Sequence, residues 1–384
     1  MTERTNVGTV EDIHESASKI TGLTDFGDKA YLEGFGVLLD SYQRDADLTP
    51  LGRKVARAFM RGALVARSLS EAGFQQHPQH ADAKIERPIF VTGLPRTGTT
   101  ALHRLLTADP AHQGLEMWLT EFPQPRPPVD TWSSNPVYQR LDEAFSRHHI
   151  ENPEFMGVHF MSASEVEECW QLLRQSSKSI SYECLAYLPT YSEWLAQQEW
   201  TDAYARHRRN LGLIGCNDQD RRWVLKNPSH LFALDALLEV YPDALIIQTH
   251  RAPRTAMASA CSLAAHATAG WSEKFTGEVI GRTQLDLWSR GLDLFESSRG
   301  RHDPAQFIDI DYRDFIKNPL ATVSGIYDHF GLPLTAAAET AMASMHAESR
   351  SGGRKPAHNY TLADFGLTDA EVDERFGNYS FSGA

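Results

Sequence analysis

Cysteine is scarce: the 384 residues hold four, at Cys169, Cys184, Cys216 and Cys261. None forms a C-x-x-C pair or a zinc-type spacing, so a disulfide scaffold and a structural zinc site are excluded. Idle or buried thiols in a reducing compartment are expected, and the chain reads as cytoplasmic. Long apolar runs are missing too. No stretch reaches the roughly 18 apolar residues of a membrane helix. Met1 to Gly22 is polar and acidic where a secretory leader would be basic and then apolar, so neither a span nor a leader is expected. H-E-x-x-H and G-x-S-x-G are absent, which argues against zinc and serine hydrolases; no metal is expected. Positive charge is the last shortage. Lys plus Arg is 37 against 50 Asp plus Glu, a formal charge of −13. Duplex affinity comes from phosphate neutralisation by cations, so nucleic acid and anionic membrane surfaces are poor partners.

What is present is an ordinary globular composition, 41% hydrophobic and 23% charged. Residues 1–84 read as a helical extension. Ala30 to Ser41 and Pro50 to Ala72 carry apolar side chains at helical spacing, among them Leu51, Val55, Phe59, Ala63 and Leu64. The polar stretch Gln75 to Asp82 follows. From Arg87 the texture changes to short apolar runs alternating with helical stretches. Pro88 to Thr92, Trp223 to Leu225, Ala244 to Ile247 and Phe307 to Ile310 read as strands. Leu102 to Leu106, Leu231 to Val240, Arg254 to His266 and Leu320 to Phe330 read as helices. That alternation predicts an α/β fold over residues 85–384, a P-loop-type parallel sheet flanked by helices. An insert of loops and helices at about 116–220 is expected over the sheet's C-terminal edge, where such folds bind ligands. A basic loop and tail close the chain at about 345–384. The oligomeric state is not readable.

The sharpest motif is Gly93-Leu-Pro-Arg-Thr-Gly98-Thr-Thr100, between a predicted strand and a predicted helix. That is the context of a phosphate loop, where backbone N–H groups at a helix N-terminus converge on an anion. Thr97, Thr99 and Thr100 offer hydroxyls, and Arg96 offers a cation. The pattern is nearly a Walker A, but Thr99 stands where the lysine would be. The later strand runs into Thr249-His250-Arg251 and not into an Asp for Mg²⁺. The loop is therefore expected to hold phosphate without an obligatory metal.

Pro95-Arg96-Thr97-Gly98-Thr99-Thr100 resembles the 5′-phosphosulfate loop of sulfotransferases that use 3′-phosphoadenosine 5′-phosphosulfate (PAPS). The Arg version is similar to the bacterial branch, mycobacterial members included. Thr249 to Arg254 with Ser259 resembles the family's 3′-phosphate motif. Trp223 to His230 is similar to its K-x-P-x-H segment. Met161-Ser-Ala with Glu167-Glu168-Cys169, and the tail Tyr360 to Leu367, also match. The resemblance spans roughly Pro88 to Tyr379. It implies a sulfuryl transferase with PAPS as co-substrate and a small-molecule or lipid hydroxyl, or an amine, as acceptor. Arg96 would stabilise the leaving phosphate, and Arg251 and Ser259 would grip the 3′-phosphate. Arg350, Arg354 and Lys355 would close over the same group, although Ser351 to Asn359 departs from the eukaryotic form of that loop.

The general base is less determined. Glu168 is the first candidate from the resemblance, Glu167 the second, and His230 the rival; His230 could instead bind the sulfonate beside Lys226. Ser162-Ala-Ser-Glu165 reads as a helix capping box, with Glu165 confined to that role. On that helix Val166, Cys169, Trp170 and Leu173 would share one face, with Glu168 nearly opposite, facing solvent or a pocket. Phe145, Phe155, Phe160, Trp170, Tyr187, Tyr191 and Trp194 in the insert are either plain core or an apolar acceptor pocket. Two other functions stay open: a P-loop small-metabolite kinase and a noncatalytic nucleotide-binding protein. The charge balance does not stand against a compact polyanion. Val91–Arg104, Arg221–His230, Gln248–His266 and Ser349–Tyr360 together hold ten Lys and Arg and no Asp or Glu.

Overall fold

The computed structural model describes residues 6–151, 161–351, 360–377 and 379. Arg354, Lys355, Phe155 and Phe160, and the side chain of Arg350, lie outside the described residues. Five strands form one all-parallel sheet: β1 (Ile89–Gly93), β2 (His112–Gln113), β3 (Arg222–Lys226), β4 (Leu245–His250) and β5 (Phe307–Asp311), in the order β2-β3-β1-β4-β5. The central strands are apolar runs because both of their faces are covered. Ile89, Val91, Val224, Leu245 and Ile247 point to one side, against Leu102, Leu105, Leu106, Val323, Ile326 and Phe330. Phe90, Leu225 and Ile246 point to the other, against Leu211, Ile214, Leu237, Tyr241 and Phe295. Each such side chain contributes about 1.5–3 kcal/mol on burial. The edge strand β5 is only partly covered, with Phe307 and Ile310 buried, Ile308 and Asp311 half-buried and Asp309 exposed.

The covering helices that matter for the site are α1 (Val10–Thr21), α2 (Tyr31–Arg44), α3 (Pro50–Gln76), α4 (Thr99–Thr107), α5 (Met117–Glu121), α6 (Trp170–Arg174), α7 (Thr201–Ile214), α8 (Leu234–Val240), α9 (Pro253–Ala267), α10 (Gly277–Arg299), α11 (Pro319–Phe330) and α12 (Asp369–Arg375). In α3, Pro50 sits at the first turn and the Thr49 hydroxyl accepts from Gly52 N at 3.0 Å. The N-terminal helices are stitched to the middle of the chain by buried polar contacts. Arg67 donates to Gln175 O at 2.9 Å, Arg206 pairs with Glu71 at 2.6 Å, and the Ser70 hydroxyl donates to Asn210 Oδ1 at 2.6 Å.

The capping box expected at Ser162–Glu165 does not start a helix. Residues 161–169 run as turns and extended chain beside Leu115–Trp118. Glu167 N donates to Leu115 O at 2.6 Å, Met117 N to Glu165 O at 2.9 Å, and Glu116 bridges Val166. The groups in 115–118 need partners, and this segment supplies them. Helix α6 begins only at Trp170, so the helical-wheel placement of Glu168 is corrected. Glu165 pairs with Arg104 at 2.8 Å instead of capping. No helix among the described residues is long and apolar enough to cross a membrane.

Candidate functional site

The site forms where β1, β3 and β4 end side by side. Register places Val91 beside Lys226 and Ile247, so the phosphate loop leaves the sheet between the ends of its neighbours. Gly93 has φ +141°, and a Cβ there would lie 2.5 Å from Thr249 O. Gly98 has φ +89° and lies against Tyr312, whose Cδ2 would be 3.0 Å from an added Cβ. Between them Arg96 adopts φ +69°, which few non-glycine residues do. Arg251 Nη1 braces it by donating to Arg96 O at 2.8 Å. Left-handed residues alternating with ordinary ones turn successive N–H groups to one side, and α4 then adds its free first-turn donors.

The three threonines differ in what they can offer. The Thr97 hydroxyl donates to Leu94 O at 2.6 Å and lies 2.6 Å from the Thr249 hydroxyl. It is buried and ties the loop to β4, so only its N–H can face an anion. Thr99 is buried at the start of α4. The Thr100 hydroxyl accepts from Lys226 Nζ at 3.3 Å. Pro95 is partly exposed on the loop.

Cations flank the loop on one side. Arg96 Nε donates to the Ser259 hydroxyl at 3.1 Å. Arg251 lies over the Tyr312 ring at 4.3 Å and has no ion pair among the described residues. Burial lowers the Arg96 pKa; Tyr360 opposes that shift, and the neighbouring Arg251 charge adds a smaller lowering effect. Two adjacent guanidiniums and a row of N–H groups make a place where an anion relieves strain in the electrostatics. Arg96, Arg251 and Ser259 are thus together. Arg254, from the same segment, is not: it is exposed and paired with Asp369 and Asp373 of α12.

On the other side lies a buried ion pair. Lys226 ends β3 and contacts Glu168 directly; their side chains are 2% and 9% exposed. Cys169 N donates to Lys226 O at 3.1 Å, which holds the two segments in register. Lys226 therefore links the phosphate loop, through Thr100, to Glu168. The Glu167 carboxylate accepts from Glu168 N at 3.0 Å. His230 is only 1% exposed. Its ring meets Phe90 edge-on at 5.0 Å, and its Nδ1 lies 2.7 Å from the Tyr204 hydroxyl. Burial holds its pKa well below the ordinary imidazole range. Among the described residues its Nε2 has no partner. Nearby, the Arg174 guanidinium lies over Phe59 at 4.7 Å, Tyr182 at 5.4 Å and Trp170 at 5.8 Å. Phe59 and Trp170 are only partly buried, while Tyr191 is wholly core. Among the described residues no three His, Cys, Asp or Glu side chains gather around a metal position.

Comparison with known proteins bears on the family and the fold. The sulfotransferase family model matches residues 88–336, which run from β1 to beyond α11. The chain belongs to the sulfotransferase family. Its fold is that of solved members of the family. The crystal structure of sulfotransferase STF1 from Mycobacterium tuberculosis is 59% identical, covers 98% of this chain and 100% of that one, and superposes with a TM-score of 0.91. Sulfotransferase STF9 from Mycobacterium avium is 27% identical over 98% of this chain and 97% of that one, with a TM-score of 0.88. A curated relative, the omega-hydroxy-beta-dihydromenaquinone-9 sulfotransferase Stf3 of Mycobacterium tuberculosis, is 28% identical over 274 residues. That match takes in 64% of this chain and 63% of the relative's length. Membership of the family implies a sulfuryl donor.

Sequence reasoning missed four residues of the assembled site. Tyr312 supports the loop, Thr249 pins Thr97, Tyr204 fixes His230, and the Tyr360 hydroxyl donates to Ser259 at 2.8 Å. Thr249 and Tyr360 carried a signal, as the first residues of the matching 3′-phosphate motif and of the matching tail; Tyr312 and Tyr204 carried none.

Proposed function

We propose that this protein transfers a sulfuryl group from PAPS to a hydroxyl, or an amine, of a small-molecule or lipid acceptor. One observation carries the proposal. An anion loop is flanked by the Arg96–Arg251–Ser259 cluster on one side and by the Lys226–Glu168 pair on the other. The donor has anionic groups at both ends, and this arrangement offers cations at both ends.

Sulfuryl transfer is in-line displacement. The acceptor oxygen attacks sulfur, the bond from sulfur to the 5′-phosphate oxygen breaks, and the acceptor proton must go to a base. As in phosphoryl transfer, positioning and charge stabilisation are the protein's main contributions. Arg96 and the loop N–H groups would take the charge developing on the leaving phosphate. Lys226, beside Thr100, would neutralise the sulfonate. Glu168 would take the proton, being the carboxylate already in contact with Lys226. Glu167 is the weaker candidate because its carboxylate is engaged by the Glu168 amide. His230 would be a positioning residue, since it is buried, neutral and tied to Tyr204. Arg251 and Ser259 would hold the 3′-phosphate, with Arg354 and Lys355 proposed to join them.

The acceptor proposal rests on the partly exposed aromatic faces of Phe59 and Trp170 around Arg174, and on the lipid alcohol in the Stf3 name. A kinase would need a lysine at Thr99 and a Mg²⁺ carboxylate after β4, and this chain has neither. The test is incubation of the protein with sulfur-labelled PAPS and a panel of apolar alcohols, phenols and amines, followed by mass identification of the product. Label transfer is expected to an apolar alcohol. Transfer of phosphate from ATP at an equal or greater rate would replace the proposal.

A further inference from the structure

The hydroxyl of Ser259 is unusually engaged. It lies in the second turn of α9 and is 3% exposed. Arg96 Nε donates to it at 3.1 Å and Tyr360 donates to it at 2.8 Å. A hydroxyl has one proton to give and two lone pairs to receive with. Both lone pairs are then occupied, one by a charged donor, and the Ser259 proton is what the hydroxyl has left to offer a further acceptor. Hydrogen bonds in such a chain polarise one another, which makes that remaining proton a better donor to an anion.

Tyr360 is held in place independently of any ligand. It packs against the main core. Next to it, Thr361 caps the turn Leu362–Phe365, receiving the Asp364 amide while Asp364 receives the Thr361 amide. Beyond the turn, the tail is clamped to the body. Arg254 of α9 pairs with Asp369 and Asp373, Arg282 of α10 pairs with Glu371 at 2.6 Å, and the Tyr379 hydroxyl bonds His250. Tyr360 is also close enough to Arg96 to influence its charge.

We infer that Tyr360 is a specificity-determining positioning residue. It orients the Ser259 hydroxyl toward the 3′-phosphate and so lets the protein separate nucleotides that carry this group from those that lack it. The inference rests on the proposed donor and gives a role there to the first residue of the matching tail. It couples the C-terminal tail to Ser259 and, through Ser259, to Arg96 at the leaving-phosphate end.

The test is calorimetric binding of adenosine 3′,5′-bisphosphate and adenosine 5′-monophosphate to the full chain, the Tyr360→Phe and Ser259→Ala variants, and the double variant. Phe keeps the ring and its packing and removes only the hydroxyl. One hydrogen bond in a charged chain is worth about tenfold in affinity. Tyr360→Phe is therefore expected to lower the bisphosphate-to-monophosphate preference about tenfold, with monophosphate binding changed less than about twofold. Adding it to Ser259→Ala is expected to cost less than about a further twofold, because its effect runs through Ser259. An unchanged preference in Tyr360→Phe, or an equal loss for both nucleotides, overturns the role of Tyr360. If the unaltered protein itself shows no preference for the bisphosphate, the donor proposal fails as well, and the two failures are told apart by that control.

Discussion

Replacing Glu168 by Gln separates the chemistry of the site from its electrostatics. The carboxylate is the proposed base, and a positioned base contributes roughly 10²- to 10⁴-fold in rate, or about 3–5.5 kcal/mol of barrier. The same group neutralises Lys226, whose side chain is 2% exposed. Removing one member of a buried ion pair costs about 3–5 kcal/mol when nothing replaces it. Gln keeps a carbonyl oxygen within reach of the ammonium, so the folded state is expected to lose only about 1–3 kcal/mol. An anionic nucleotide would give Lys226 a new partner. The variant is accordingly expected to show a lowered Tm that recovers on saturation with adenosine 3′,5′-bisphosphate. Its affinity for that nucleotide is expected to match or exceed the parent's, and its kcat to fall at least about 100-fold. Steady-state rates, thermal unfolding with and without nucleotide, and calorimetry read these three quantities. A kcat within about tenfold of the parent would refute Glu168 as base. Nucleotide binding weakened about tenfold or more would refute the description of Lys226 as shared between Glu168 and the donor.

Three further predictions follow from the same geometry. Arg96→Ala is expected to lower kcat at least about 100-fold and to weaken product-nucleotide binding, since a preorganised donor is worth about 3 kcal/mol; unchanged kinetics would remove Arg96 from the site. Gly98→Ala forces a side chain into φ +89° against Tyr312. It is expected to cost nucleotide binding at least about tenfold while the far-ultraviolet spectrum stays native, and normal binding would show that the loop is not held as described. Buried, neutral His103 and His207, both pushed down to about 3, and His230, pushed well below the usual value, predict acid sensitivity. The unfolded chain binds these protons below about pH 6.5 and the folded chain does not. Stability should therefore be present in full above pH 6.5 and fall by up to about 4 kcal/mol per pH unit toward pH 3. Denaturant titrations at several pH values would measure the slope, and His207→Phe should reduce it by about a third; an identical slope in that variant would contradict the assignment.

The parts of this molecule that were legible in the sequence are those where local chemistry and tertiary role coincide. The runs at Ile89, Val224, Leu245 and Phe307 became strands because a sheet covered on both faces needs continuous apolar segments. The phosphate loop was legible because its two glycines occupy positions that require positive φ. Strand β2 escaped because two residues carry no period. Helix α10 buries Ile280, Leu287, Trp288, Leu292 and Phe295 along its length, a spacing that the sequence itself carries. The Ser162–Glu165 capping box failed for a different reason. Its local signal is genuine, but backbone groups at 115–118 capture the segment as an extended partner. Contacts such as Tyr360 with Ser259, 101 residues apart, have no local signature at all.

The most direct test of the central claim is a time course of labelled sulfuryl transfer from PAPS to an apolar alcohol, run with ATP and Mg²⁺ as the competing donor system. The account predicts a sulfated product, release of adenosine 3′,5′-bisphosphate in equal amount, and no dependence on Mg²⁺. Phosphorylated product, or donor binding with no transfer across the acceptor panel, would contradict it.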